Sequence, residues 1–330
     1  MLAAVSGSTG FIGSAVVRTL VAAGRPVRAL CEPGASTRNL EGLPAGAVER
    51  VDVDVCDLDG MKRALDGCAA YYHLAAIYRV WNPDPRAIYR VNLEGTTVAL
   101  LAAQAAGVGR VVYTSSIAAV GLHADGRPSD ETVAWNLQDI ADEYILTKHL
   151  SERIALAFAR VLPVVVVNPA FPFGPGDLAP TPTGKIILGL LRGEVPGTGP
   201  GGFCAVDVDD VAQAHVAAET RGRVGERYLL GNHNVGFADF AALVAEVSGV
   251  APPRLHVPGV VALGVARGME IWSARVSHRE PQGTVKAIEY LQRFASFDPA
   301  KARRELGFPC TPLRTSVERA VEFFRAQGMA

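Results

Sequence analysis

Apolar runs the length of a strand alternate with amphipathic runs the length of a helix through the first half of the chain. The strand-like runs cover 2–6, 27–30, 48–55, 69–74, 110–115 and 163–168, and the helix-like runs cover 11–23, 58–65, 88–106 and 145–160. This alternation predicts a doubly wound α/β fold, a parallel sheet with helices on both faces. VVYTS (111–115) and VVVVN (164–168) are apolar almost throughout rather than at every second residue, as burial on both faces demands. Gly24, Gly67 and Gly107 stand where the preceding helices must stop.

Beyond Asn168 the texture changes. FPFGPGDLAPTPTG (171–184) is dense in proline and glycine and cannot be regular helix or an inner strand. The chain therefore divides into an N-terminal domain, 1–168, and a smaller C-terminal lobe, 169–330, with 203–232 returning to the first domain. Residues 205–219 and 227–231 supply the strand and helix material for that return, and 237–249 and 312–327 read as lobe helices. The apolar stretch 257–272 is interrupted by Arg267 and Glu270 and reads as another lobe helix, with a membrane-surface helix as the alternative.

Composition narrows the function classes. The 330 residues carry a net charge of −1, so no strong basic field exists to hold nucleic acid. The cluster Lys301, Arg303, Arg304 reads as a solvated helix face. No uncharged apolar stretch is long enough to span a bilayer, and the start of the chain has no charged-then-apolar leader. Five scattered cysteines with no Cys-x-x-Cys pair predict no metal site and fit a reducing cytoplasm.

Candidate chemistry begins directly after the first strand, where S-G-S-T-G-F-I-G places Gly7, Gly10 and Gly13 at intervals of three before a helix. Strand, glycine turn and helix together make a pyrophosphate site. The glycines permit a tight turn and close backbone approach, and the helix N-terminus faces the anion. Gly7, Thr9, Gly10, Phe11, Ile12 and Gly13 form this turn. A carboxylate at the end of the second strand would hold adenosine ribose hydroxyls, whereas an arginine there would accept a 2′-phosphate. Glu32 lies nineteen residues beyond Gly13 and favours NAD, while the nearby Arg38 leaves NADP open.

The G-x-x-G-x-x-G spacing, with VDVDVCDL, YYHLAA (71–76) and VNLEGT (91–96) following in order, resembles the extended short-chain dehydrogenases/reductases of the NAD-dependent epimerase/dehydratase family over nearly the whole chain. The resemblance implies a Rossmann domain in which Asp57, with Leu58, meets the adenine. Leu74, Ala75, Ala76 and Asn92 then lie beside the phosphates and ribose, and Asn168, Pro169 and Phe171 lie beside the nicotinamide. It also implies that relatives dimerise through paired helices, so a homodimer is an expectation.

Hydride transfer at a carbon requires a proton to enter or leave the attached oxygen. In D-E-Y-I-L-T-K, Tyr144 and Lys148 are four apart and share one helix face. A tyrosine of pKa ~10 becomes a usable base beside an ammonium. V-V-Y-T-S-S supplies the hydroxyl partner, and the resemblance assigns Ser116, leaving Thr114 at the cofactor edge and Ser115 as a strand-end polar group.

These residues serve reductases and epimerases alike, so the lobe must decide between them. Nucleotide-sugar epimerases of the family carry an arginine where this chain has Phe203, which argues against a nucleotide diphosphate. The segments at 76–85 and 168–185 resemble dihydroflavonol-reductase-like and hopanoid-associated sugar epimerase subgroups. Tyr78, Trp81, Phe171, Phe173 and Phe203 would form an apolar wall. The expectation is an oxidoreductase acting on a carbonyl/alcohol pair of a fairly apolar molecule by a Ser-Tyr-Lys mechanism. A sugar epimerase or dehydratase is the alternative, and a catalytically silent NAD(P)-binding protein the remote one.

Overall fold

The computed structural model describes every residue except Val80, Asn82, Pro83 and Gln282, three of which fall in the 76–85 segment. Strands β1 (Ala3–Ser6), β2 (Val27–Cys31), β3 (Val48–Asp52), β4 (Ala70–His73), β5 (Arg110–Thr114) and β6 (Val164–Pro169) are joined by helices α1 (Phe11–Ala22), α2 (Leu58–Leu65), α3 (Arg86–Tyr89), α4 (Gly95–Ala105) and α5 (Glu143–Phe158). They form a parallel sheet in the order β3-β2-β1-β4-β5-β6, to which a seventh strand described below is added. The order reverses between β1 and β4, so the crevice for a dinucleotide opens at the carboxyl ends of those strands.

The unbroken valines of β6 explain why its sequence does not alternate. Val165 and Val167 pack into the core beneath α1, with Val5, Leu20 and Val112. Val164 and Val166 pack into the opposite core with Met61, Tyr71 and Leu100. All four are fully buried, each contributing about 1.5–3 kcal/mol over an exposed side chain.

The run at 88–106 is not one helix. A π turn, Arg90–Glu94, separates α3 from α4. Gly95, where α4 begins, approaches Val55 so closely that a Cβ would sit 2.9 Å from its side chain. The offset presents Asn92 to the Ile77 backbone and to Thr147 of α5.

After β6 the chain runs through β7 (Phe171–Phe173), α6 (Pro182–Leu191), β8 (Gly197–Thr198), β9 (Gly202–Asp207), α7 (Val208–Arg221), β10 (Arg227–Leu230), β11 (His233–Gly236), α8 (Phe237–Ser248), β12 (Leu255–His256) and α9 (Gly259–Trp272). A π turn at Ser273–Ser277, α10 (Val285–Gln292), α11 (Ala300–Leu306) and α12 (Leu313–Ala326) complete the chain. β10 pairs in parallel with β6 as the seventh strand, and α7 packs on α1, so 208–230 returns to the first domain. The expected return of 203–207 is corrected, because β9 is instead the central strand of a separate sheet, β11-β9-β7. β8 and β12 pair as a second small sheet.

Candidate active site

The glycine turn is shaped by close approaches. Gly7 has φ +64°, and a Cβ there would lie 2.9 Å from the Ala75 nitrogen and the Leu74 carbonyl carbon. A Cβ on Gly13 would lie 2.0 Å from the Gly7 carbonyl oxygen. Gly10 is the N-cap of α1 and gives it no side-chain cap, unlike Asp57 on α2 and Asp142 on α5. The first-turn N–H groups therefore face the crevice without a side-chain acceptor, as a pyrophosphate requires. Asn39 donates to the Thr9 carbonyl at 2.9 Å and braces the turn from the loop after β2. In that loop Glu32 is exposed just past β2, and the Arg38 guanidinium donates to Gln327 at 2.9 Å.

Beside the crevice α5 delivers Tyr144 and Lys148 to the end of β5. Asp142 caps the helix by accepting from the Ile145 N–H at 2.8 Å. Lys148 is buried, and its ammonium donates to the Thr114 carbonyl at 3.0 Å. Burial lowers the Lys148 ammonium to about 8, against the opposing pull of Glu152. Burial likewise pushes the Tyr144 phenol up from its ordinary value, while the facing Ser116 hydroxyl holds it down. Ser116 also accepts from the Ala118 N–H. The neighbouring hydroxyls differ: Thr114 is paired with His215 at 2.9 Å, and the buried Ser115 hydroxyl has no partner among the described residues. Ser116 and Tyr144 thus face one another at the end of β5, with Lys148 one helical turn along α5 and held to the Thr114 carbonyl.

Asn168 is fully buried beneath this point rather than open to the crevice. Its amide donates to the Ser116 carbonyl at 2.9 Å and to the Glu152 carboxylate. Pro169 is buried beside it, and Asp57 is exposed with its carboxylate accepting from the Gly60 N–H. Two expected wall residues are corrected. Phe173 and Phe203 are 2% and 0% exposed and pack with Phe240 in the lobe core, so they face no ligand. The aromatic wall that does reach the site is Tyr78, whose ring lies 4.5 Å from Tyr144, with Phe171 and Tyr290. Trp81 is half-buried nearby in sequence.

Sequence reasoning missed Tyr290, which sits on α10 far from every motif. Its ring is buried, its hydroxyl has no partner among the described residues, and it stacks on Phe171. His73 was also missed, although YYHLAA contains it. Burial and the Lys148 charge lower it to about 3, so it stays neutral while bonded to Tyr71 at 2.7 Å and to Ser6 at 3.2 Å under the glycine turn. Both residues report tertiary packing that no local spacing signals. Among the described residues no cluster of histidine, cysteine or carboxylates could hold a metal, and no helix is long and apolar enough to cross a membrane.

A parallel sheet with an uncapped glycine helix at its switch point, and Ser116, Tyr144 and Lys148 beside it, has the architecture of a nicotinamide-dinucleotide oxidoreductase. The family model for NAD dependent epimerase/dehydratases matches residues 3–231, and the chain belongs to that family. A Synechocystis protein named after dihydroflavonol 4-reductase is 36% identical over 98% of this chain and 94% of its own. Sterol demethylase protein B of Methylococcus capsulatus is 33% identical over the full length of both. The solved structure of PA4631, a nucleoside-diphosphate-sugar epimerase from Pseudomonas aeruginosa, superposes with TM-score 0.83, at 29% identity over 100% of this chain and 99% of that one. The protein is therefore an enzyme of a family whose members depend on NAD.

Proposed function

We propose that the enzyme interconverts a carbonyl and an alcohol on a fairly apolar, non-nucleotide molecule, with net oxidation or reduction. The observation that carries this reading is the character of the lobe side of the site. The wall beside Tyr144 is aromatic, and the position where a nucleotide-diphosphate arginine would stand is the core residue Phe203. The cations of the preceding lobe segment are engaged elsewhere: Lys185 pairs with Glu280 at 2.7 Å, and Arg192 donates to the Met329 carbonyl. A pyrophosphate would bring two charges to this segment, where both cations among the described residues are already engaged. Two full-length relatives named for flavonoid and sterol chemistry support the same substrate class.

In this reading Gly7, Thr9, Gly10, Phe11, Ile12 and Gly13 hold the pyrophosphate. Leu74, Ala75 and Ala76 border it, Glu32 holds the adenosine ribose, and Asp57 and Leu58 meet the adenine. The exposed Glu32 carboxylate and the engagement of Arg38 with Gln327 favour NAD over NADP. When bound, the nicotinamide accepts or supplies the hydride. Ser116 orients the substrate oxygen and Tyr144 exchanges its proton. Lys148 holds the nicotinamide ribose, and its charge favours the phenolate. Asn168 and Asn92 position the reactive elements from below, through Ser116 and Thr147. The free Tyr290 hydroxyl is a donor for a second substrate oxygen.

The test is titration with NADH and NADPH, followed by single-turnover reaction of the reduced complex with ring ketones, lipid ketones and UDP-sugars. Stoichiometric oxidation of NADH by a ketone is expected, and Tyr144→Phe should lower the rate by about 10²–10⁴ while leaving cofactor affinity unchanged. Interconversion of a UDP-sugar with no net oxidation would replace this reading with that of an epimerase.

A further inference from the structure

Of the large apolar side chains exposed among the described residues, most fall in one short stretch, 255–276. On α9 and the turn that follows it, Val260, Val261, Val265, Ile271, Trp272 and Val276 are each 47–82% exposed, whereas Ala266 is the only residue of α9 that is buried. Positions 261, 265, 268, 272 and 276 recur at helical spacing, so they form one outward stripe. It is unbroken by bulk at Gly264 and Gly268, where a Cβ would meet nothing within 4 Å. A contiguous apolar stripe of this kind, on a helix whose inner face is already packed, marks an interaction surface.

The charges around the stripe say what it meets. Arg254, Arg275 and Arg279 are exposed, and their guanidiniums have no hydrogen-bond or ion-pair partner among the described residues. The two carboxylates of the same stretch are already engaged. Glu270 accepts from the Val285 N–H and pairs with Arg267, and Glu280 pairs with Lys185. The surface is therefore apolar in its centre and cationic at its rim, with an exposed tryptophan at one end. A second copy of the same face would bring a second set of unpaired cations into the interface with no unengaged carboxylate of this stretch to answer them. An anionic bilayer offers an apolar interior under a negative headgroup layer, and it complements both features.

We propose that α9 and the turn after it dock this enzyme on the surface of an anionic phospholipid bilayer, without crossing it. α9 packs on α10, which carries Tyr290 into the wall beside Tyr144, so the docked face is one helix away from the reaction site. Uptake of an apolar substrate from the bilayer rests on the function proposed above, but the docking itself does not.

The experiment uses the full chain without substrate. It is mixed with vesicles of phosphatidylcholine alone and of phosphatidylcholine with an equal share of phosphatidylglycerol, and co-sedimentation is measured. The expected result is binding to the anionic vesicles, about tenfold or more tighter than to the neutral ones and weakened by salt. Val265→Asp with Trp272→Asp should abolish it, while NADH affinity and the circular dichroism spectrum stay those of the wild type. Arg275→Gln with Arg279→Gln should remove the preference for anionic lipid. Absence of vesicle binding, or binding indifferent to these substitutions, overturns the proposal. So does a solution dimer that Val265→Asp dissociates, since the face would then belong to a second copy. Ketone turnover is measured separately in detergent-free buffer, so loss of either result leaves the other standing.

Discussion

Lys148 shows how burial sets the charge of a single residue. An ordinary lysine titrates near 10.5, and burial brings Lys148 to about 8. In the mechanism proposed above its protonated form holds the ribose and favours the Tyr144 phenolate, so kcat/KM should fall about tenfold per pH unit above about 8. The stability linkage has the opposite sign. Below 8 the ammonium is charged in both folded and unfolded chains and the burial penalty is fully present. Between 8 and 10.5 the unfolded chain binds the additional proton, so this group adds stability as pH rises. Activity lost over that window with an unchanged or raised melting temperature would assign the limb to Lys148, and a limb near 10 would remove it from that role. The Tyr144–Lys148 pair was legible because a spacing of four fixes one helix face. Phe203 was not, because its place in the sequence says nothing of where its ring points, and the ring points into the lobe core.

The element that most constrains the cofactor is the turn between β1 and α1. Here the sequence was nearly sufficient, since three glycines at intervals of three before an uncapped helix leave few other uses. The structure adds the reason for each glycine: Gly7 abuts the chain after β4, and Gly13 abuts Gly7 itself. Gly13→Ala would place a Cβ 2.0 Å from the Gly7 carbonyl oxygen, a backbone atom that can yield only by moving the turn. Overpacking of this kind costs about 1–3 kcal/mol of stability. The larger effect should be on binding, because a displaced turn misdirects the N–H groups meant for the pyrophosphate. Calorimetric titration is expected to show NADH affinity reduced at least about tenfold, ~1.4 kcal/mol. The π turn at 90–94 was illegible for a different reason. It is followed by the close approach of Gly95 to Val55, forty residues earlier in the chain and invisible to helical periodicity.

At the scale of the molecule, the returning strand β10 ties the second half of the chain to the residues beneath Ser116. Its first residue, Arg227, pairs with Glu152 of α5 at 2.9 Å and donates to the Glu131 carbonyl. Glu152 also accepts from Asn168, whose amide holds the Ser116 carbonyl, so Arg227, Glu152, Asn168 and Ser116 form one connected series. The return itself could be read from apolar runs, but this linkage joins residues with no common motif. Glu152 is 2% exposed, so Arg227→Ala would strand a carboxylate in a poorly solvated site. Breaking a buried pair in this way costs about 3–5 kcal/mol, whereas Arg227→Met combined with Glu152→Gln removes both charges and should cost less than the single change. Chemical denaturation should show that ordering. In the Arg227→Ala variant, turnover should fall more than NADH affinity, because the disturbed residue is Ser116 and not the glycine turn. Equal unfolding midpoints for the wild type and Arg227→Ala would mean that β10 is held by its sheet pairing alone.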